Sequence, residues 1–327
     1  MVGQAEGPFV LGIDLGGTKI LAGVVDANHQ ILGRAKRSTP AKEGAEALMA
    51  ALTECGQEAL LAAEVPAEQV VGVGVGSPGP LDTEAGVIRS SPNLNVREFP
   101  IGPGLAKNLG KPVLVRNDVR AGGWGEFRLG AGHGYQDVLA AFVGTGIGGC
   151  VIRQGEILTG ATGNAGEIGH LIVKANGPKC GCGNRGCLEA LASRTAITKR
   201  VHKALRKGTK SVLAEHVTSK NSRLKSRELS AAYQDGDPLA VGEVERSAWY
   251  LGHALCGLIN VLGPEIVVVG GGVVEALGDP YVDLVRASAR EQAMADPDQR
   301  VQIATASLGD DAGVLGASLM ARDRFAR

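Results

Sequence analysis

Three cysteines and a histidine stand close together in the middle of the chain. In the stretch from Gly163 to Glu189, G-N-A-G-E-I-G-H-L-I-V-K-A-N-G-P-K-C-G-C-G-N-R-G-C-L-E, Cys180, Cys182 and Cys187 follow the spacing C-x-C-x4-C. His170 lies ten residues before the first of them. Three thiolates and one imidazole are the donor set of a closed, tetrahedral structural zinc site, and the glycines let the chain fold back tightly between them. Such a metal would fasten a loop with too few apolar residues to hold itself. It would also fix the acids at its two ends, Glu167 and Glu189. The alternative is three buried or free thiols; this spacing, in a chain with no sign of export, favours zinc.

Two further acids stand where strands should end. Phe9 to Leu15 (F-V-L-G-I-D-L) reads as a buried strand interrupted by Asp14, followed by a tight turn of Gly16, Gly17, Thr18 and Lys19 and a returning strand, Ile20 to Val25. A carboxylate in an apolar strand needs compensation, which a hydrated Mg²⁺ and a nucleotide phosphate on the turn's N–H groups would supply. The order G-K-[ST] is absent and a strand follows, so this is not a Walker A loop. A hairpin with a turn aspartate is the plainer reading. Lys111 to Arg116 is a second short strand and ends at Asn117-Asp118. Ligands of open α/β sheets gather at strand ends, so Asp118 is placed either as a general base or as a helix N-cap. Asn93, in the polar loop Ser91 to Asn95, could bond a polyhydroxylated ligand or cap a turn.

The elements that must carry these residues repeat. Val138 to Ala161 echoes Val10 to Ala35: apolar strand, Gly/Thr turn, returning strand, polar turn, and a strand beginning Ile-Leu. Two hairpin-first domains of one α/β design would aim Gly16, Gly17 and Thr18 and, from the second, Gly144, Thr145 and Gly146 at one cleft. G-T-G-I-G-G is not a dinucleotide fingerprint, because C-V-I-R-Q-G-E-I-L continues it as strand and turn. Helices are expected over Gly44 to Ala63, Ala190 to Arg206, Asp237 to Val261 and Ala312 to Ala321, the last crossing back onto the first domain. Val70 to Val75, Glu265 to Val269 and Val301 to Ala306 read as strands. Gly270, Gly271 and Gly272 join the second of these to a helix and would let a flat or phosphorylated ligand approach closely; a tight helix-entry turn explains them as well.

At 327 residues the chain is long enough for two domains. Its 34 lysines and arginines balance 34 aspartates and glutamates, and aromatics make up 3%, so neither nucleic acid nor a membrane surface is indicated as a partner. The basic run from Lys199 to Arg227 reads as a solvated helical surface with a flexible loop near Ser219 to Ser226. No signal peptide or spanning segment is apparent, and a cytoplasmic protein is expected. Cys55, Cys150 and Cys256 read as packing residues.

Together these motifs resemble the ROK family of sugar kinases and related repressors, within the actin/hexokinase/Hsp70-like superfamily, over nearly the whole chain. D-L-G-G-T-K is similar to its first phosphate motif, N-D to its catalytic loop, G-T-G-I-G-G to its second phosphate motif and G-G-G at 270–272 to its adenosine motif. E-x-G-H followed by C-x-C-G-x-x-G-C-x-E is similar to its signature. The resemblance implies two actin-like (ribonuclease H-like) domains around a central cleft, the smaller from 1–117 plus 312–327 and the larger, with the zinc loop, from 118–311. It implies ATP-dependent phosphorylation of a hexose, foremost glucose at the 6-hydroxyl, with Asp118 as general base. Gly79, Asn93, Asn117, Glu167, His170 and Glu189 would then meet sugar hydroxyls. Asp14 would hold Mg²⁺ through water, Lys19 and the two Gly/Thr turns would face ATP, and His170 would put one ring nitrogen on zinc and the other toward the sugar. A homodimer is implied as well. Arg120 and Val96 stand where the family commonly has asparagine and tryptophan, at the sugar end of the pattern. Fructose, allose or N-acetylmannosamine are the alternative acceptors, polyphosphate an alternative donor, and a sugar-sensing repressor the alternative role. A repressor would need a helix-turn-helix ahead of the first strand, where only Met1 to Pro8 stand.

Overall fold

The computed structural model describes residues 7–219, 222–290 and 301–326. The expected loop near Ser219 to Ser226 therefore falls partly outside the described residues, at 220–221, as do Met1 to Glu6 of the N-terminal segment. The chain has the expected α/β character and divides into two compact units, Met1–Gly130 with Asp310–Arg327, and Ala131–Gly309.

The first unit is built on strands β1 (Phe9–Leu15), β2 (Lys19–Val25), β3 (Ile31–Ser38), β4 (Val70–Ser77) and β8 (Val113–Asn117) in the order β3-β2-β1-β4-β8. The three hairpin strands are antiparallel, and β1, β4 and β8 run parallel. Helices α1 (Ala45–Ala63) and α2 (Ile101–Leu109) pack on one another, with Leu48, Leu52 and Leu105 fully buried. The other face carries α3 (Asp118–Leu129) and α10 (Ala312–Phe325). Two strand glycines explain how α10 sits so close. A Cβ on Gly12 would fall 2.2 Å from Val314 O, and one on Gly74 only 1.9 Å from Ala317 O. The glycine-valine alternation of β4 thus leaves a trough for a helix backbone. The unit also contains a small sheet of β5 (Leu81–Asp82), β6 (Val87–Ser91) and β7 (Val96–Phe99).

The second unit repeats the plan. Strands β9 (Val138–Val143), β10 (Ile147–Arg153), β11 (Glu156–Ile157), β12 (Ile266–Gly270) and β13 (Gln302–Thr305) lie in the order β11-β10-β9-β12-β13, again with an antiparallel hairpin beside parallel strands. Its core is dominated by α7 (Pro238–Leu262), which buries Val244, Ala248, Leu251 and Leu255. Asp237 caps this helix through the N–H groups of Leu239 and Ala240, and Gly263 ends it in the left-handed conformation, one residue before Pro264.

The helix expected from Ala190 to Arg206 is broken. α4 (Glu189–Ala192) stops at Ser193, whose backbone is extended, and α5 (Arg194–Arg206) starts afresh with Ser193 Oγ accepting from Ala196 N. A serine that caps costs little at a break and gains a hydrogen bond. α6 (Ser226–Gln234), α8 (Gly272–Leu277) and α9 (Asp279–Arg290) complete the unit.

Candidate active site

In the first unit the Gly/Thr turn is closed by Gly16 N donating to Lys19 O at 2.9 Å. Thr39 supports it from behind: its Oγ1 donates to Gly16 O at 2.7 Å and its N–H to Thr18 O at 3.1 Å. With those carbonyls engaged, Gly17 and Thr18 face solvent. Asn93, in the turn between β6 and β7, packs against this turn, 3.5 Å from where a Cβ on Gly17 would lie.

Asp14 and Asp118 gather around Gly76. A Cβ there would lie 3.7 Å from Asp14 Oδ1 and 3.4 Å from Asp118 Cα. Asp14 is also pressed on α10, where a Cβ on Gly313 would stand 2.6 Å from its carboxyl carbon. Burial, and then the neighbouring Asp118, push the Asp14 carboxyl up to about 7; Lys19 acts in the opposite sense and Asp310 adds to the rise. Lys19 itself is ion-paired with Asp310. A partly buried acid that holds its proton to neutral pH beside a second acid is a place where a cation is welcome. Hydrated Mg²⁺, which takes one or two carboxylates and completes its shell with water and phosphate, fits that donor set.

Asp118 is the first residue of α3, at the C-terminal end of β8. The cap is its neighbour: Asn117 Oδ1 accepts from Arg120 N at 3.1 Å. Asn117 Nδ2 donates to Asp118 Oδ1 at 3.1 Å, and Val119 N donates to the same oxygen at 2.9 Å. These two bonds hold the carboxylate at the sheet edge. Gly79, at φ +101°, sits with its α-carbon so near β6 that a Cβ would fall 2.6 Å from Ser90 O. Glycine is required there on both counts.

The second unit has the matching turn. Gly144 N donates to Gly146 O at 2.9 Å, and the turn is again held from behind, here by α5. Arg194 N donates to Gly144 O at 3.0 Å and Thr195 Oγ1 to Thr145 O at 2.7 Å. The triple-glycine turn lies beside it, since Gly271, at φ +89°, brings its Cβ position within 2.8 Å of Val143 N and O at the end of β9.

His170, Cys180, Cys182 and Cys187 converge as expected, with their ligand atoms all within 4.8 Å of one another. Cys180 Sγ is 3.8 Å from His170 Nδ1, and Cys182 Sγ is 3.7 Å from Cys187 Sγ. Zinc–sulfur bonds of about 2.3 Å at tetrahedral angles put sulfurs about 3.8 Å apart, so the four atoms fit that ion. Burial raises the Cys180 thiol and takes Cys187 to about 12, whereas a hydrogen bond from the Asn184 backbone lowers Cys182. Glu167, exposed, and His170 flank a short 3-10 turn that packs on β10; a Cβ on Gly169 would lie 2.0 Å from Ile147 O. Glu189 opens α4. Its Oε2 accepts from Ile147 N at 3.1 Å, and its Oε1 is 3.8 Å from Cys180 Sγ.

The expected residues thus fall into two sets. Asp14, the first turn, Gly79, Asn93, Asn117 and Asp118 belong to the first unit. The second turn, the cluster of His170, Cys180, Cys182 and Cys187, Glu167, Glu189 and Gly270 to Gly272 belong to the second. Sequence reading overlooked the residues behind the turns, Thr39, Arg194 and Thr195, and the contacts of Asp310 and Gly313 with Lys19 and Asp14. None carries a motif; the echo between the two hairpins was the one signal that each turn needs a support.

The model of the ROK family matches residues 10–324. A glucokinase of Thermotoga maritima is 35% identical over 317 residues, covering 97% of this chain and 98% of that protein. An N-acetylmannosamine kinase of Citrobacter koseri is 32% identical over 314 residues, covering 95% and 98%. Among solved structures, a ROK family glucokinase from Streptomyces griseus in complex with glucose and AMPPNP superposes with a TM-score of 0.84 at 34% identity, covering 96% and 99%. With a family match that spans both hairpin units and the cysteine loop, the chain belongs to the ROK family.

Proposed function

We propose that this protein is a hexose kinase that transfers the γ-phosphoryl group of ATP to the 6-hydroxyl of glucose. The observation that carries the reading is Asp118, held by two hydrogen bonds at the end of β8 and clustered with Asp14 around Gly76. In this reading the two units are actin-like domains. Asp118 accepts the proton of the sugar hydroxyl as its oxygen bonds to the γ-phosphorus, and the bond from that phosphorus to the β-phosphate oxygen breaks, releasing ADP. The Gly/Thr turns meet the phosphate oxygens through backbone N–H groups, which costs no reorganisation as charge shifts. Gly79, Asn93, Asn117, Glu167, His170 and Glu189 hold the remaining hydroxyls. Asp14 would hold Mg²⁺, which would supply charge neutralisation on the phosphates. His170 and the three thiolates would hold zinc, which would leave the other imidazole nitrogen for the sugar.

The family likeness to an N-acetylmannosamine kinase, with Arg120 and Val96 at the sugar end, favours a second reading: the same reaction on another hexose. A sugar-sensing repressor is less favoured, because Asp14, Asp118 and both turns are all present. A coupled assay over a hexose panel, each with ATP and with polyphosphate, tests these readings. Glucose with ATP is expected to be fastest. Turnover of a different hexose selects the second reading, and no turnover with any pair sinks the kinase assignment.

A further inference from the structure

Arg194, the first residue of α5, reaches back over the Gly144–Gly146 turn. Its Nη2 donates to Thr145 Oγ1 at 2.7 Å and its Nη1 to Ser226 Oγ at 3.0 Å. A guanidinium has only donors, so Thr145 Oγ1 must accept from it, and the hydroxyl proton is left to point elsewhere. Thr145 is exposed, and among the described residues no acceptor for that proton is in hydrogen-bond reach. Arg194 N also fixes Gly144 O, so one residue sets both the backbone and the side chain of the turn.

Charge points the same way. Among the described residues no carboxylate forms an ion pair with Arg194 or Arg223. Burial, and then the cation Arg223, depress the Arg194 pKa. An arginine without a carboxylate partner beside a turn of backbone donors is what a polyanion relieves. Ser226 brings the triple-glycine turn into the same neighbourhood, its Oγ lying 3.9 Å from the Cβ position of Gly272.

Resting on the kinase reading, we propose that Arg194 is a positioning residue for the phosphate chain of the nucleoside triphosphate. It locks the Thr145 hydroxyl as a hydrogen-bond donor to that chain and brings a positive charge beside it. The sugar half of the reaction does not depend on it.

Four variants test this: Arg194→Ala, Arg194→Lys, Thr145→Val and the Arg194→Ala/Thr145→Val double. ADP affinity is read by calorimetry at fixed salt, together with KM for ATP and for the hexose. A charge-assisted bond lost on binding predicts about tenfold weaker ADP binding and an about tenfold higher KM for ATP in Arg194→Ala. KM for the hexose should stay within about twofold, and Arg194→Lys should recover part of the loss by restoring charge alone. The double variant should lose less than the product of the two single losses, because the lock is shared by the two residues while the charge belongs to Arg194 alone. Additive losses, equal rises in both KM values, or unchanged ADP affinity would overturn the proposal. Should Arg194→Ala fail to fold, Arg194→Lys and Thr145→Val read the same split. The calorimetry needs no turnover, so a wild type that phosphorylates no hexose defeats the kinase reading, whereas unchanged ADP binding in an active variant defeats this one alone.

Discussion

The carboxylate of Glu189 accepts a hydrogen bond from the backbone N–H of Ile147 at 3.1 Å, joining the end of the cysteine loop to the residue that follows the second Gly/Thr turn. The approach is close enough that a Cβ on Gly146 would lie 2.3 Å from Glu189 Oε2. One acid thereby ties the loop to the turn.

That tie can be cut from the glycine side. Gly146→Ala must displace Glu189, and if Glu189 holds the sugar as proposed, a misplacement of about 1 Å can cost on the order of 100-fold in rate. The expected result is a fall of that order in kcat/KM with zinc content unchanged by metal analysis. Near-wild-type kcat/KM would show that Glu189 has no part in the site.

Replacing Asp118 by Asn keeps the shape and removes the base that the proposed mechanism requires. Turnover should drop by about 10²–10⁴-fold, the usual contribution of a positioned general base. Sugar binding, followed by calorimetry, should survive within a few-fold. A variant that still turns over normally assigns the proton to another group.

Cys182 is the exposed thiol of the cluster, and as a zinc ligand it is the one whose loss should disturb packing least. Cys182→Ser should release zinc and raise the hexose KM at least about tenfold, since the groups that orient a site are lost with it. A zinc-free variant with the wild-type hexose KM argues that the loop and the sugar are independent.

Asp14 offers a pH signature. Its carboxyl titrates near 7 in the folded protein against an ordinary value of 3.8. Over that window the folded state holds a proton the unfolded chain has released, so stability falls as pH rises, and the cost is complete above about pH 7. Asp14→Asn should therefore raise Tm of the ligand-free protein by about 2–4 °C at pH 8, with little gain at pH 4. Turnover should fall in the same variant. A Tm gain that is equal at both pH values would contradict the assigned strain.

Much of this layout was legible in the sequence, for identifiable reasons. Glycine spacing and strand polarity gave both hairpins, and thiol spacing gave the His170–Cys187 cluster. The boundary at Ser193 escaped because leucine and alanine continue the helical pattern across it, and only its side chain's bond to Ala196 N reveals the cap. Spacing leaves Asp118 open as a base or a helix N-cap; the cap is Asn117 instead, a choice that depends on rotamers, which spacing does not encode. The β5–β7 sheet and α2 escaped notice for lack of long periodic runs, whereas α9 went unread although Tyr281, Val282, Val285, Ser288 and Ala289 recur at helical spacing. Asp310 and Gly313 lie nearly three hundred residues from Lys19 and Asp14, and no local pattern announces such a meeting.

Helix α10 rests in the trough left by Gly12 and Gly74, although some two hundred and forty residues separate it from the nearer of them. A ribosome releases the N-terminal sheet early and the helix that seals it only after the whole second unit. Until then the trough stands open, so the second unit, continuous in sequence, is able to finish folding before the first.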